Sequence, residues 1–356
     1  MQAIVWTGEL KVRDDVELRP IRPHEVRVGL KRAGLCHSDV AVVDGVIPFP
    51  TPVVLGHEGA GVVEEVGSAT TKVKVGDHVV LTTLGNCGQC DACDRGQPTH
   101  CRDTMGRLER PFSIGEDAVF QFANAGVFAQ STIVRESQAV VIDERVPFEA
   151  ACLIGCAVLT GAGAVLNRAK VQPGQSVLVI GAGGIGLSVV QAALLAGASR
   201  IVVVDSNPGK EAAAMEFGAT DFIDASAVDD SVKAVRSLGL KPGVDHAFEC
   251  VGHPALIRNA IDLLDWGGTC TLVGVPKLGT EATFVVNSLY NNKSVLGCRY
   301  GAARPHHDVG LIVQLYLAGR FKLDEMVTKI YPLSDIEAAI DDLHAGTLNR
   351  GVLEIA

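Results

Sequence analysis

The rhythm of apolar and polar positions changes twice along the chain. Up to about residue 156, short runs such as RVGLKRAGL, GAGVVEEVG and DHVVLTTLG alternate apolar with polar positions and are broken by Gly and Pro. That pattern predicts antiparallel β structure. From about 157 to 296 the strands become continuously apolar and alternate with helical stretches: SVLVIGAG, RIVVVDSN, TDFID, DHAFECVG, TCTLVGV and SVLGCR. Six βα-type units of this kind predict a parallel, doubly wound sheet. After about 297 come helices and a last short strand, GVLEIA, expected to return to the first domain. The predicted division is therefore 1–156 with 297–356, and 157–296.

One stretch imitates a membrane span. Val177 to Ala198 carries only Ser188 and Gln191 as polar side chains. It divides, however, into a β-branched run, a glycine cluster and an alanine-rich run, which a buried strand–turn–helix explains better. The N-terminal stretch MQAIVWTGELKVRDD lacks a basic region followed by a long apolar core, so no secretory leader is expected. With 356 residues, 47% hydrophobic and 20% charged, the chain has room for two globular domains. A net charge of -10 repels phosphate backbones and anionic lipid, so neither nucleic acid nor membrane is an expected partner. The expected location is cytoplasmic. Ten cysteines in a long chain without a leader point to metal ligands before disulfides.

Gly181-Ala182-Gly183-Gly184-Ile185-Gly186 follows the strand Ser176–Ile180 and opens a helical run. The glycines permit a tight turn and close approach of a pyrophosphate to free N–H groups at a helix start. Asp205 ends the next strand, placed to accept both ribose hydroxyls of NAD and to repel the extra phosphate of NADP. Lys210 is a candidate for the same ribose.

Cys87, Cys90, Cys93 and Cys101 form C-x2-C-x2-C-x7-C. Four thiolates close a tetrahedral zinc cage with no open position, so the predicted role is structural. An iron–sulfur cluster is the competing reading, although the bacterial ferredoxin run has a shorter last gap and a following proline. A second set is dispersed: Cys36 in GLCHSD, His57 in GHEGAG and Cys156 in IGCAVLTG. Sequence distance alone does not show that they meet. Together, two thiolates and one neutral imidazole would leave Zn²⁺ neutral with a position free for an alcohol.

Taken together, these motifs resemble the zinc-containing medium-chain dehydrogenase family in its alcohol dehydrogenase branch, over essentially the whole chain. The resemblance implies a GroES-like, mainly β catalytic domain with a structural zinc lobe at 85–103, and a Rossmann domain. It implies two zinc ions, with Cys36, His57 and Cys156 on the catalytic one, a donor set known for alcohol dehydrogenase. It implies NAD, a small alcohol or aldehyde as substrate, and a homodimer or homotetramer. Ser38 matches the residue that hydrogen-bonds the alcohol and relays its proton, and Asp39 the acid that orients the histidine ligand. Glu58 matches a buried acid beside the metal. His37 stands where many relatives carry a pyrophosphate-binding arginine, which implies looser coenzyme binding. Thr160 matches a position near the nicotinamide, and Arg350 one near the pyrophosphate. Val275, Cys298 and Tyr300 match backbone contacts to the nicotinamide amide. In several relatives the relay ends on a histidine at the position of Ala41, so here the proton must leave by water or another base. The expected reaction is reversible hydride transfer between NAD and an alcohol, a primary one with aromatic and medium-chain alcohols among the candidates, giving the aldehyde or ketone. The alternatives are oxidation of a thiol-bound hydroxymethyl group and, in another class, a non-catalytic zinc or redox-sensing protein.

Overall fold

A computed structural model describes residues 1–104 and 106–356. The chain divides into two compact units, Met1–Cys156 with Arg304–Ala356, and Ala157–Ala303.

The first unit is built on the long strand Glu25–Leu35. It pairs antiparallel with Glu58–Val66 on one side and with Arg350–Glu354 on the other, and Ser131–Arg135 also pairs with it. The sheet continues through His78–Leu81 to Ala139–Val141, and through Arg350–Glu354 to Val327–Pro332. A second, six-stranded sheet includes Ala3–Trp6, Val53–Val54 and Asp117–Gln121. The main core fills the space under the larger sheet with Val26, Val28, Leu30, Leu81, Phe128 and their neighbours. The tail joins that core. In the helix Ile336–His344, Ile336, Ala339, Ile340 and Leu343 are buried. Their spacing makes one apolar stripe, the signature of a helix laid on a sheet.

The second unit is a six-stranded parallel sheet in the order Asp221–Asp224, Arg200–Asp205, Ser176–Ile180, Val244–Glu249, Leu264–Leu272 and Ser294–Gly297. The order reverses beside Ser176–Ile180, which is where such sheets open a ligand crevice. The apolar stretch from Val177 resolves into that strand and the helix Gly184–Leu195, most of whose residues are buried. A helix that is apolar all round belongs inside a protein core or a bilayer, and here protein surrounds it. Among the described residues a different run, Phe148–Ala169, is the one long and apolar enough to span a membrane; its apolar window is 83% buried inside the protein.

The expected return to the first domain at 297 is placed too early. Residues 297–303 stay with the second unit, and the crossing comes at Arg304. The reason is packing: a side chain at Gly301 would collide with the carbonyls of Leu159 and Thr160, so the Tyr300–Ala302 turn lies directly on the helix Leu159–Gly163.

Candidate metal centre and dinucleotide site

In the first unit, sheet register assembles what sequence distance kept apart. The strand Glu25–Leu35 delivers Cys36 at its end. Gly34 pairs with Glu58, which sets His57 and Glu58 alongside, and Gly351 pairs with Leu35, which sets Arg350 on the opposite flank. Cys156 arrives on a single π turn, Ile154–Val158, that follows the helix Phe148–Leu153. Such wide turns are frequent where a helix must aim a functional side chain. The result is a cluster of Cys36, His57, Glu58 and Cys156 with one donor atom each, all within 4.8 Å.

Asp39 organises this cluster. Its Oδ1 lies 2.9 Å from His57 Nδ1 and accepts from the Gly56 amide at 3.1 Å, while Oδ2 accepts from the Cys36 amide at 3.2 Å. Occupying Nδ1 leaves Nε2 of His57 as the free ring nitrogen, the arrangement that fixes a ligand histidine. Burial pushes the Asp39 carboxyl up. Burial pushes His57 down, but Asp39 and the Cys36 sulfur outweigh it and hold the ring well above its ordinary value. Contact with Cys156 holds the Cys36 thiol well below its usual range, and the same contact holds Cys156 well above it. A shared, charge-hungry pair of sulfurs beside an imidazole suits a divalent cation of zinc type. Glu58 is fully buried and its pKa is raised to about 7 by burial. One of its oxygens, Oε1, has no hydrogen-bond partner among the described residues, a further sign of a polar group belonging here.

Arg350, expected near the pyrophosphate, lies beside Glu58. It is 4% exposed, and its guanidinium is bonded to Glu58 Oε2. Pairing of the last strand with Glu25–Leu35 draws it inward. Ser38 is half-buried and follows Cys36 by two residues on the helix His37–Val43; His37 is exposed on the same turn.

The four-cysteine lobe forms a second cluster. Cys87, Cys90, Cys93 and Cys101 place their sulfurs within 4.8 Å of one another. The Cys90–Cys93 and Cys87–Cys101 sulfur pairs are 3.7 and 3.6 Å apart. A tetrahedral zinc with arms of about 2.3 Å requires edges of about 3.8 Å, so these donors fit the ion. The Cys87 amide and the Asn86 side chain donate to Cys101 and Cys93 sulfurs, which steadies thiolate charge. All ten cysteines are free thiols.

In the second unit, Gly183 caps the helix Gly184–Leu195, and a side chain at Gly183 would meet only open space. That opening is a cradle in front of the helix start, where a pyrophosphate would sit. A side chain at Gly186 would strike the Gly181 carbonyl, and Gly181 itself has φ +97°. Ile185 rides on the first turn. Asp205 sits at the crevice, its Oδ2 accepting from the Ala182 amide at 2.7 Å and its Oδ1 from Asn207 at 2.8 Å. The carboxylate is thus pinned with lone pairs left for a ribose. Lys210 is buried and its ammonium pKa is lowered by burial, with Asp205 acting the other way. Val275 is exposed and Cys298 half-buried with its thiol pushed up to about 11 by burial. Tyr300 is left-handed at φ 52°, and Thr160 is buried on the helix beneath it. Sequence reasoning missed Glu249. Its Oε1 accepts from the Val251 and Gly252 amides at 3.1 and 2.8 Å and holds the loop beside Gly181. It also missed Phe122, whose ring meets His57 edge-on with centroids 5.8 Å apart. A buried acid after a strand and an aromatic in a loop carry no local signature.

Comparison with known proteins agrees with this chemistry. Residues 22–144 match the model of the alcohol dehydrogenase GroES-like domain, and residues 184–316 that of the zinc-binding dehydrogenase. The chain is 36% identical to the S-(hydroxymethyl)glutathione dehydrogenase of Komagataella pastoris, over 99% of this chain and 96% of that one. It is 37% identical to the enzyme of the same name from Photobacterium damsela subsp. piscicida, over 95% of each. It superposes on the crystal structure of benzyl alcohol dehydrogenase from Acinetobacter calcoaceticus with a TM-score of 0.93, at 34% identity, over 100% of this chain and 99% of that one.

Proposed function

The chain belongs to the zinc-containing medium-chain dehydrogenase/reductase family, and from that premise we propose that it oxidises the hydroxymethyl group of a thiol–formaldehyde adduct with NAD. It is an NAD-dependent zinc alcohol dehydrogenase; the proposal concerns which alcohol. The observation that carries it is the full-length similarity, at 36% and 37% identity, to enzymes named for S-(hydroxymethyl)glutathione. This reverses the order expected from sequence, where primary alcohols, aromatic and medium-chain ones included, came first. A second reading, a benzylic alcohol, is favoured by the benzyl alcohol dehydrogenase fold match and by the ring of Phe122 next to His57, with Phe49 packed behind it.

When bound, zinc polarises the alcohol oxygen and NAD accepts the hydride. Cys36, His57 and Cys156 would hold the catalytic ion, and the four-cysteine lobe the structural one. Asp39 keeps His57 in the ligating tautomer. Ser38 takes the hydroxyl proton and passes it outward. Ala41 offers no base, so the proton leaves Ser38 to water. The start of the helix Gly184–Leu195 receives the pyrophosphate, and Asp205 the ribose hydroxyls. Glu58 and Arg350 hold each other beside the metal.

Six of the ten cysteines sit in the two metal clusters and none is in a disulfide, a use of cysteine that suits a reducing compartment and supports a cytoplasmic location. Homo-oligomerisation is the further expectation. Among the described residues the strand Ser294–Gly297 pairs on one side only, and Leu278, Val285, Val286 and Tyr290, shortly before it in the chain, are exposed. An unpaired edge beside exposed apolar side chains is a surface that a second copy covers.

The assay follows NADH formation with formaldehyde plus glutathione, benzyl alcohol and ethanol, with and without added thiol. Turnover that requires thiol supports the adduct reading. Benzyl alcohol oxidised with higher kcat/KM than the thiol adduct would replace it with the second reading.

A further inference from the structure

Phe122 owes its place against His57 to an unfavourable piece of backbone. The two residues after it, Ala123 and Asn124, are both left-handed, with φ 50° and 58°. Side chains other than glycine rarely adopt that conformation, and two in succession need outside support. Within the turn, the amides of Ala125 and Gly126 both donate to the Phe122 carbonyl, at 2.9 and 3.1 Å. That leaves the carbonyls of Asn124 and Ala125 to be satisfied from elsewhere.

Two buried carboxamides and a hydroxyl do so. Gln138 Nε2 donates to the Asn124 carbonyl at 2.8 Å and to the Thr82 carbonyl at 2.9 Å, and its Oε1 accepts from the Arg135 amide at 3.2 Å. Gln121 Nε2 donates to the carbonyls of Ala125 and Ile133 at 2.9 and 2.8 Å. Thr132 Oγ1 donates to the Ala125 carbonyl at 2.6 Å. Gln121 and Gln138 are 3% and 2% exposed, so no water substitutes freely for these bonds. Phe49 then packs edge-on against Phe122 with centroids 5.2 Å apart. The Phe122–Phe49 pair forms an aromatic wall beside the ligand histidine.

We propose that Gln138 and Gln121 are positioning residues for the dehydrogenase reaction: their buried amides hold the left-handed turn that sets Phe122 against His57, and so decide how tightly a bulky or ring-bearing alcohol is held. The proposal rests on the reading that alcohols are oxidised at the Cys36–His57–Cys156 cluster. It assigns the amides no contact with substrate. Their effect falls on binding of the larger alcohol and spares the chemistry common to all alcohols.

The test uses zinc-loaded enzyme and the variant Gln138→Met, which keeps the volume and removes the donors. Two quantities are read: hydrogen exchange of the Ala125 and Gly126 amides, and KM and kcat for benzyl alcohol and ethanol at saturating NAD. Faster exchange in that turn is expected, with KM for benzyl alcohol raised about tenfold, kcat nearly unchanged, and ethanol much less affected. Phe122→Ala should give the same loss of selectivity, and the double variant should add little to it. Unchanged exchange, or equal losses for both alcohols, overturns the proposal. If Gln138→Met does not fold, Thr132→Val removes a milder bond from the same turn and is judged by the same two readouts. A wild-type enzyme that oxidises no alcohol and no thiol adduct defeats the proposed function instead; the exchange measurement still decides whether the amides hold the turn.

Discussion

Arg350 and Glu58 form one buried ion pair although 292 residues separate them in the chain. Glu58 is fully buried and Arg350 nearly so, and Glu58 is itself a member of the metal-ligand cluster. Burial disfavours the charge on Arg350, but Glu58 and the sulfurs of Cys36 and Cys156 outweigh it and raise its pKa. The pair also ties the last strand, Arg350–Glu354, to Glu58–Val66 across the strand that delivers Cys36.

Removing one partner leaves an uncompensated buried charge. Arg350→Met should therefore cost about 3–5 kcal/mol in urea unfolding of the zinc-loaded protein. Adding Glu58→Gln to it should recover part of that loss. Strict additivity of the two single losses would show that the charges do not act as a pair.

Asp39→Asn keeps the shape of the side chain and removes the charge that holds His57 Nδ1. The expected loss is about 10–100-fold in metal affinity or activity. Zinc titration against a chromophoric chelator reads the first and the alcohol assay the second. No change in either means that the Gly56 and Cys36 amides, not His57, are what Asp39 serves.

Cys101 closes the four-cysteine lobe. Cys101→Ser should lower bound zinc from two ions per chain to one, by elemental analysis, and make the segment around 85–104 the first site of proteolysis. Retention of two ions would contradict the cage geometry.

His246 lies in the parallel sheet with Nε2 2.9 Å from Gln175 Oε1, and its Nδ1 has no partner among the described residues. Burial lowers its pKa from 6.5. The unfolded chain thus binds a proton that the folded one refuses, so stability is complete above about 6.5 and falls as pH drops below it. His246→Gln should flatten that fall. The check is the urea midpoint between about pH 7 and 5 for both proteins; parallel curves would exclude His246 as a source.

What the sequence determined by itself is chemistry held by near neighbours. The glycine run with Asp205 needs one βαβ unit, and the C-x2-C-x2-C-x7-C lobe needs one loop. Short spacing limits where such side chains can go, so pattern and position coincide. The strand periods likewise announced the two units. Tertiary structure decided the rest, because register joins residues that no spacing relates. Pairing of Gly34 with Glu58 and of Gly351 with Leu35 is what gathers Cys36, His57 and Arg350. It also makes Arg350 the partner of Glu58, which no spacing in the sequence announces. Gln121 and Gln138 read as ordinary polar positions in a chain of alternating strands. Only folding buries them at 3% and 2% exposure, and a buried amide must find carbonyls to bond. Those of Asn124 and Ala125 are where Phe122 is turned toward the metal ligands.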